Sequence, residues 1–344
     1  MKEVLLGIDL GGTNIKVSVF DRTFEKLGES RCATGASEGW QAVLGRIDRC
    51  TQKLLEQLGI GMNQVAVAGM GIPGLLDRKG GISRFSPNFT GWQDVPVSRW
   101  FREAWGVPVF IDNDVRSNLY GEWKFGGGQG RENLVLLTLG TGLGSGIVMD
   151  GRVLYGATGS AGEVGHMNLY REGRPCRCGS SGCLGRYVSA LGMLRTFREK
   201  LDSGRESMVS GWVKTPEEIT ARMISDAFDQ NDPVAVETLT ETGELLGFGL
   251  VNIINLFNPE LILIGGGMAA AGERLLAPAR KVIEEHALEI SRNACELSVA
   301  KLGDSAGMVG AAWYGAQCLA QETVSSSTIS ANCSPSAPAV ETAL

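Results

Sequence analysis

Short apolar runs that end in glycine or small polar residues recur along the chain and predict the buried strands of an α/β protein. In the first third of the chain, such runs predict strands over Val4–Asp9, Ile15–Phe20, Gln64–Met70 and Val107–Ile111. Apolar residues at helical spacing predict helices over Gln41–Leu58 and Val115–Trp123. Because only Gly11-Gly12-Thr13-Asn14 separates the first two strands, we expect a hairpin there.

The same pattern restarts in the middle of the chain. Asn133–Thr138 predicts a strand, Gly140–Gly146 a glycine-rich bend, and Ile147–Asp150 a second strand. The remaining predicted elements are helices over Pro216–Asp229, Pro233–Phe257 and Ala306–Leu319, and a buried strand over Leu261–Ile264. Two α/β halves that open alike predict an internal duplication, with a nucleotide bound in the cleft between them.

These elements divide the chain into two domains and a tail. Residues 1–115 together with 305–321 are expected to form a small α/β domain, and residues 116–304 a larger one with a loop over 163–185. From about Glu322 the chain is rich in Ser, Thr, Ala and Pro without periodicity. Such a composition predicts a disordered tail over residues 322–344.

The composition of the 344 residues argues against several classes of protein. A hydrophobic content of 43% with 20% charged residues is typical of a globular protein with a large core. Asp and Glu number 38 against 32 Lys and Arg, a net charge of −6, which argues against a nucleic-acid partner. The longest apolar region, Leu245–Met268, is interrupted by Asn, Pro and Glu, so we expect no membrane span.

The first residues and the cysteines indicate the compartment. The apolar run after Met1 is too short for a signal peptide, and acidic residues come too early. Five of the eight cysteines are scattered through a large chain, which favours reduced thiols: Cys32, Cys50, Cys295, Cys318 and Cys333. We therefore expect a cytoplasmic protein.

Two glycine-rich bends predict phosphate binding. Asp9-Leu-Gly-Gly-Thr-Asn14 brings backbone N–H groups and the Thr13 hydroxyl to a phosphate, and Asp9 can hold Mg²⁺. Gly140-Thr-Gly-Leu-Gly144 offers donors in the same way. A tight hairpin would explain either bend alone. Because the two bends occur at corresponding positions in the two halves, phosphate binding is the favoured interpretation. Neither bend has the Walker A or the dinucleotide-binding pattern.

A third bend, Gly265-Gly266-Gly267, follows the buried strand Leu261–Ile264 and precedes a helical pattern. Backbone without side chains can lie flat against an adenine ring. A simple turn from strand to helix explains the three glycines nearly as well, and both interpretations stay open.

Asp112-Asn113-Asp114 follows a predicted buried strand and opens a predicted helix. Helix capping explains one such residue, since Asp and Asn are preferred at that position. Three polar residues exceed that need, and a carboxylate near two phosphate bends can accept a proton from an attacking hydroxyl. Asp114 is therefore the candidate general base.

Three of the cysteines lie close together and follow one of the only two histidines. Glu163-Val-Gly-His166 precedes Cys176-Arg-Cys178-Gly-Ser-Ser-Gly-Cys183, so one imidazole and three thiols form a complete tetrahedral zinc ligand set. The neighbouring Gly, Ser, Pro and Arg residues do not resemble an apolar core in which free cysteines are usually buried. Four protein ligands leave no open position, so we expect a structural zinc.

Together these motifs resemble the ROK family of sugar kinases and regulators, over about residues 4–320. The segments that carry the resemblance are Asp9–Thr13, Gly71-Ile-Pro-Gly74, Ser86-Pro-Asn88, Asn113-Asp114, Gly140–Gly144, Glu163–His166, the three cysteines and Asn258–Gly267. The resemblance implies an actin-like, hexokinase-type ATPase fold with two RNase-H-like domains and a cleft between them. It also implies ATP-dependent phosphorylation of a hexose at its 6-hydroxyl, glucose first, and a homodimer.

The resemblance assigns roles to particular residues. Asp114 is the general base, and the sugar is contacted by Asn88, Asn113, Asp114, Glu163 and His166. The nucleotide and its Mg²⁺ are bound by Asp9, Gly11, Gly12, Thr13, Lys16, Thr141, Gly142, Gly144, Gly266 and Gly267. His166, Cys176, Cys178 and Cys183 bind the zinc that orders the sugar-binding loop.

One position departs from the family pattern. Members usually have Gly-Cys-Leu-Glu, whose glutamate contacts the sugar near its anomeric carbon, whereas this chain has Gly182-Cys-Leu-Gly185. The departure leaves the sugar open among glucose, mannose, allose, N-acetylmannosamine and N-acetylglucosamine. A sugar-sensing regulator is the alternative outside the enzymes. The start of the first phosphate bend about ten residues after Met1 argues against an N-terminal DNA-binding domain.

Overall fold

The computed structural model describes residues 3–86 and 88–331. The chain divides into two compact units: Met1–Asp114 with Ala311–Leu344 is the first unit, and Val115–Gly310 is the second unit. Each unit has its own sheet and its own cluster of buried hydrophobic side chains.

The first unit contains a five-stranded sheet with the order β3-β2-β1-β4-β8. Its elements in chain order are β1 (Val4–Leu10), β2 (Asn14–Phe20), β3 (Lys26–Ala33), α1 (Trp40–Leu58), β4 (Val65–Ile72), β5 (Leu75–Asp77), β6 (Ile82–Phe85), β7 (Gln93–Val95), α2 (Val97–Trp105) and β8 (Val109–Asn113). Strands β1, β2 and β3 are antiparallel, and β4 and β8 run parallel to β1. The short strands β5, β6 and β7 form a separate small sheet.

The second unit contains a sheet of the same design, with the order β11-β10-β9-β12-β13. Its elements are α3 (Asp114–Phe125), β9 (Leu134–Leu139), β10 (Leu143–Met149), β11 (Arg152–Val153), α4 (Gly185–Val188), α5 (Ala190–Asp202), α6 (Ala221–Phe228), α7 (Pro233–Phe257), β12 (Leu261–Gly265), α8 (Glu273–His286), α9 (Glu289–Ala294), β13 (Glu296–Val299) and α10 (Ala306–Ala331). Helix α3 begins in the first unit, and α10 continues into it. Again three antiparallel strands are followed by two parallel ones, as the predicted duplication requires.

Strand β3 is absent from the predicted elements. It forms the edge of the first sheet, and its residues alternate between half-buried and exposed positions. An edge strand with one face in solvent does not need the continuous apolar run by which the neighbouring strands were recognised.

Strand β10 begins at Leu143, within the segment that the sequence analysis treated as a bend. Gly144 and Gly146 lie in this strand and face α3. A Cβ atom added to Gly144 would lie 2.5 Å from a methyl of Val115, and one added to Gly146 would lie 2.9 Å from a methyl of Leu119. These glycines permit close packing of strand and helix, which explains why the glycine-rich segment is longer than its turn.

Two predicted helical segments require correction. The helix predicted over Pro216–Asp229 is interrupted, because the Thr220 side chain accepts a hydrogen bond from the Met223 N–H at 3.3 Å and starts α6 afresh. Helix α10 extends to Ala331 and so covers the first ten residues of the tail predicted to be disordered. No Gly or Pro interrupts the chain there. The rest of that predicted tail, residues 332–344, lies outside the described residues.

Within the described residues, no helix is both long enough and apolar enough to cross a membrane. The most apolar long helix, α7, is buried along much of its length in the second unit, where it packs against α8.

Candidate functional site

In the first unit, the predicted motifs meet at the carboxyl ends of three neighbouring strands. Strands β1, β4 and β8 are neighbours and run parallel, so their carboxyl ends lie side by side. Asp9 pairs in register with Gly71, and Gly71 pairs with Asp112. The segments that follow these three residues therefore converge at the place where open α/β sheets usually bind ligands.

The first glycine-rich bend is a tight turn between β1 and β2. The Gly11 N–H donates to the Asn14 carbonyl at 2.9 Å, and a Cβ on Gly11 would lie 2.9 Å from the same oxygen. Thr34, fully buried, donates its hydroxyl to the Gly11 carbonyl at 2.7 Å and its N–H to the Thr13 carbonyl at 2.9 Å. Thr34 was missed in the sequence because it lies about twenty residues away, directly after the inconspicuous edge strand β3.

The other predicted residues of the first unit lie close to this bend. A Cβ added to Gly12 would lie 3.8 Å from the Asn88 Cβ. Gly74 has a φ of 103°, and a Cβ there would lie 2.1 Å from the Phe85 carbonyl oxygen. The Gly71–Gly74 segment therefore contacts the start of the segment that leads to Asn88. On the strands themselves, the Lys16 Nζ lies 3.9 Å from the Asp9 carboxylate.

Asp112, Asn113 and Asp114 have different surroundings. Asp112 is fully buried, and its carboxylate accepts the Asn113 backbone N–H at 2.7 Å. The Asn113 side-chain amide donates to the Gly74 carbonyl at 3.4 Å. Asp114 is half-buried and is the first residue of α3. Of the two acids, Asp114 is the one that keeps part of its surface exposed.

In the second unit, the phosphate bend lies beside the third glycine bend. The Gly140 N–H donates to the Gly142 carbonyl at 2.9 Å, and no atom lies within 4 Å of a Cβ added to Gly140 or Gly142. Gly266 has a φ of 79°, and a Cβ there would lie 2.4 Å from the Leu139 carbonyl oxygen. Glycine is therefore required at 266, and the space above 140 and 142 is open.

A cavity of about 750 Å³ opens next to these bends within the second unit. Thr141 and Gly267 line one side of it, and helix α6 supplies Arg222, Ser225 and Asp226 on another. The α6 residues could not be recognised from the sequence, because nothing in their spacing distinguishes them from an ordinary exposed helix face.

The predicted sugar-binding segment, Glu163–His166, also lies beside the second phosphate bend. A Cβ added to Gly165 would lie 2.3 Å from the Leu143 carbonyl oxygen, so the two backbones are in contact. Gly185 lies beside the same segment, and its added Cβ would be 3.2 Å from the Gly165 carbonyl oxygen. Glu163 and His166 are both exposed.

His166, Cys176, Cys178 and Cys183 come together, with their ligand atoms all within 4.8 Å of one another. The Cys176 sulfur lies 3.7 Å from the His166 Nδ1, and the Cys178 and Cys183 sulfurs are 3.7 Å apart. A tetrahedron with Zn–S bonds of about 2.3 Å has ligand atoms about 3.8 Å apart. A disulfide needs about 2.05 Å, so the donor set fits zinc and not a disulfide.

The thiols of this cluster differ in acidity. A hydrogen bond from the Ser180 backbone lowers the pKa of Cys178 to about 7, whereas burial raises the pKa of Cys183 to about 12. Cys178 therefore ionises readily, and Cys183 ionises at neutral pH only beside a cation such as a metal ion.

A second set of contacts holds the cysteine segment without a metal. The Arg174 guanidinium donates to the Gly192 carbonyl at 3.2 Å and to the Glu199 carboxylate at 2.5 Å, both on α5. It also lies over the Tyr187 ring, whose hydroxyl accepts the Arg174 N–H at 2.7 Å. Sequence spacing did not identify this role of Arg174, because its partners lie on a helix that follows the loop.

The comparisons with known proteins agree on one family. The model of the ROK family matches residues 5–317. A protein named glucokinase from Halalkalibacterium halodurans is 34% identical over 309 residues, covering 90% of this chain and 93% of its own.

Two solved structures are similar over most of the chain. The ROK family glucokinase from Streptomyces griseus, in complex with glucose and AMPPNP, is 32% identical with a TM-score of 0.79, and the match covers 91% of this chain and 99% of that one. A ROK family transcriptional regulator, a homologue of the E. coli MLC protein, is 29% identical with a TM-score of 0.81, covering 91% of this chain and 77% of that one. The predicted actin-like α/β fold is thereby confirmed.

Proposed function

The chain belongs to the ROK family, and from that premise we propose that it transfers the γ-phosphoryl group of ATP to the 6-hydroxyl of a hexose. Glucose is the first candidate sugar. The observation that supports this most is the position of Asp114, which is half-buried and follows the carboxyl ends of the strands near which the first phosphate bend and Asn88 also lie.

Asp114 acts as the general base in this proposal. Its carboxylate accepts the proton of the 6-hydroxyl while the sugar oxygen bonds to the γ-phosphorus and the bond from phosphorus to the ADP oxygen breaks. Asp112 is unsuited to this role because it is fully buried and already accepts a backbone hydrogen bond.

The two bends bind the phosphates of ATP. Gly11, Gly12 and Thr13 donate from the first bend, and Thr141 and Gly142 donate from the second. Asp9, with Lys16 beside it, offers carboxylate oxygens for the Mg²⁺ that accompanies ATP, the ligands that this ion prefers. Gly144 is assigned to the same phosphate site, and its lack of a side chain also permits packing against Val115.

The adenosine occupies the cavity of about 750 Å³ in the second unit. The open backbone at Gly267 gives a flat surface for the base, with Gly266 behind it. Polar side chains of α6, including Ser225 and Asp226, lie within reach of the polar atoms of the nucleoside.

The sugar is recognised by Asn88, Asn113, Asp114, Glu163 and His166. Since the His166 Nδ1 lies toward the cysteine sulfurs, its Nε2 remains available to a sugar hydroxyl. Zinc bound by His166 and the three cysteines orders the loop and takes no part in phosphoryl transfer.

A panel of sugars tests the proposal. Purified protein with ATP and Mg²⁺ is assayed for ADP release on glucose, mannose, allose, N-acetylmannosamine and N-acetylglucosamine. We expect turnover with at least one sugar, and the product is expected to be its 6-phosphate by NMR. Absence of turnover on every sugar contradicts the proposal.

There are two alternatives to a glucose kinase. Gly185 favours a kinase for another sugar, and the regulator among the similar structures favours a sugar-binding regulator. A lost carboxylate at 185 favours a sugar other than glucose, which the same panel identifies. A regulator is expected to bind sugar without turnover, so calorimetric sugar binding in the absence of ADP release favours that second function.

A further inference from the structure

Arg116 is a charged side chain with only 8% of its surface exposed, and it lies two residues after Asp114 on α3. Burying a guanidinium is unfavourable unless its N–H groups are hydrogen-bonded. The contacts of Arg116 therefore indicate what this unusual placement achieves.

Two contacts of Arg116 lead to the segment over residues 155–162, which we name the glycine loop. The Arg116 Nη1 donates to the Gly159 carbonyl at 3.0 Å, and the guanidinium carbon lies 5.0 Å over the Tyr155 ring. One turn further along α3, the Tyr120 hydroxyl lies 2.5 Å from the Tyr155 hydroxyl. One face of α3 thus holds both the start and the middle of the glycine loop.

The glycine loop has little conformational restraint of its own. Gly156, Gly159 and Gly162 have φ angles of 68°, 79° and 90°, a region that glycine adopts without strain. Its ends are joined by the Ala161 N–H, which donates to the Tyr155 carbonyl at 3.0 Å. A Cβ added to Gly159 would have no neighbour within 4 Å, so the tip is not closely packed there, and its hydrogen bond with Arg116 restrains it.

The glycine loop leads directly into Glu163. The Ser145 hydroxyl donates to the Gly162 carbonyl and accepts the Val164 N–H at 3.3 Å. These bonds join the end of the loop to β10 on either side of Glu163. Because Glu163 follows the loop directly in the chain, we expect the conformation of the loop to influence where Glu163 lies.

We propose that Arg116 is a positioning residue for sugar binding, holding the glycine loop on the helix that begins with Asp114. The inference rests on the proposed kinase function. The planar guanidinium can donate to the Gly159 carbonyl and stack on Tyr155 at the same time, which a lysine cannot do equally well.

Three variants test this role by kinetics. Arg116→Met is expected to raise the sugar KM by about 10- to 100-fold, the size expected when a binding group is displaced by about 1 Å, with the ATP KM unchanged. Arg116→Lys should recover part of the loss. Arg102→Met is the matched control, since Arg102 also donates to a backbone carbonyl, at 3.4 Å from Val109, and lies 5.4 Å over the Phe110 ring.

Arg102→Met should leave both KM values at the wild-type level. The inference is overturned if Arg116→Met keeps the wild-type sugar KM, or if it changes both KM values together. Should Arg116→Met not fold, Arg116→Lys and Tyr155→Leu, which removes the ring beneath the guanidinium, replace it, and wild-type sugar KM values in both overturn the inference.

Hydrogen–deuterium exchange separates this inference from the proposed function. In Arg116→Met, amides of residues 155–164 should exchange faster, while those of β9 and α7 keep their wild-type rates. Unchanged exchange in the loop overturns the inference whether or not the wild-type protein phosphorylates a sugar. Faster exchange without any wild-type turnover supports the contact of Arg116 with the loop and contradicts the kinase proposal.

Discussion

Asp112 and Asp114 are two residues apart in the chain, yet they differ in burial. Asp112 is fully enclosed and hydrogen-bonded to the backbone, while Asp114 is half-buried at the start of α3. Asp114 was chosen from the sequence among three polar residues, and its role as the base stays a prediction. The supporting residues Thr34 and Arg116 could not be selected in the same way, because their significance comes from contacts distant in sequence.

Asp114→Asn is expected to lower kcat by about 100- to 10,000-fold, because the amide cannot accept the hydroxyl proton. The melting temperature should change little, since the side chain is half-buried and its shape is kept. Steady-state kinetics and differential scanning calorimetry measure the two effects. Asp112→Asn provides the contrast, because loss of a buried carboxylate should lower stability. An active Asp114→Asn enzyme would show the base assignment to be wrong.

Gly185→Glu is expected to lower the glucose KM by about 10-fold, because a carboxylate adds a hydrogen bond worth about 1–3 kcal/mol to a sugar hydroxyl. The new Cβ lies 3.2 Å from the Gly165 carbonyl oxygen and 3.3 Å from the Leu143 Cβ, so the neighbours must move slightly.

Gly185→Ala is the control for that movement, since it adds the same Cβ without the carboxylate. Steady-state assays with glucose and with the best sugar of the panel compare the two variants. Equal glucose KM values in both would mean that residue 185 does not contact the sugar.

At the scale of elements, the segment from Glu163 to Gly185 is notable for having almost no regular secondary structure. Between β11 and α4 the chain has only a short 3-10 turn over Val164–His166 and isolated bridges. Side chains hold it instead, through the His166 and cysteine cluster and through Arg174. The ligand set was predictable because cysteine and histidine are rare and closely spaced, whereas the contacts of Arg174 were not.

Removing zinc should affect sugar binding more than nucleotide binding. Cys178→Ser is expected to lose the bound metal and to raise the sugar KM by about 10- to 100-fold, with the ATP KM unchanged. Cys295→Ser is the control, since Cys295 lies outside the cluster. Elemental analysis gives the zinc content of both variants. A metal-free variant with the wild-type sugar KM would contradict the assigned role of zinc.

For the molecule as a whole, the two units repeat one sheet design with separate cores. The first unit is built from both ends of the chain, whereas Val115–Gly310 is continuous. The two glycine bends had indicated this duplication in the sequence. The homodimer and the domain limits over 1–115, 116–304 and 305–321 stay predictions.

A fragment of residues 115–310 is expected to fold alone, because it contains a complete sheet, its own core and all four zinc ligands. It should bind one zinc ion and unfold cooperatively, as measured by elemental analysis and circular dichroism. It should show no sugar phosphorylation, since Asp114 and the first phosphate bend are missing. An unfolded fragment would mean that the core of the second unit is insufficient by itself.

Local chemistry was enough to identify the family, the fold class and most candidate ligands. Strand ends with Gly, Thr and Asp, and a His with three Cys, are recognisable because their chemistry depends on neighbours in sequence. The tertiary structure decided which glycines serve packing, as at Gly144, and which leave open space, as at Gly142. It also revealed Arg116, because the environment of a buried charge depends on contacts between segments that are distant in the chain.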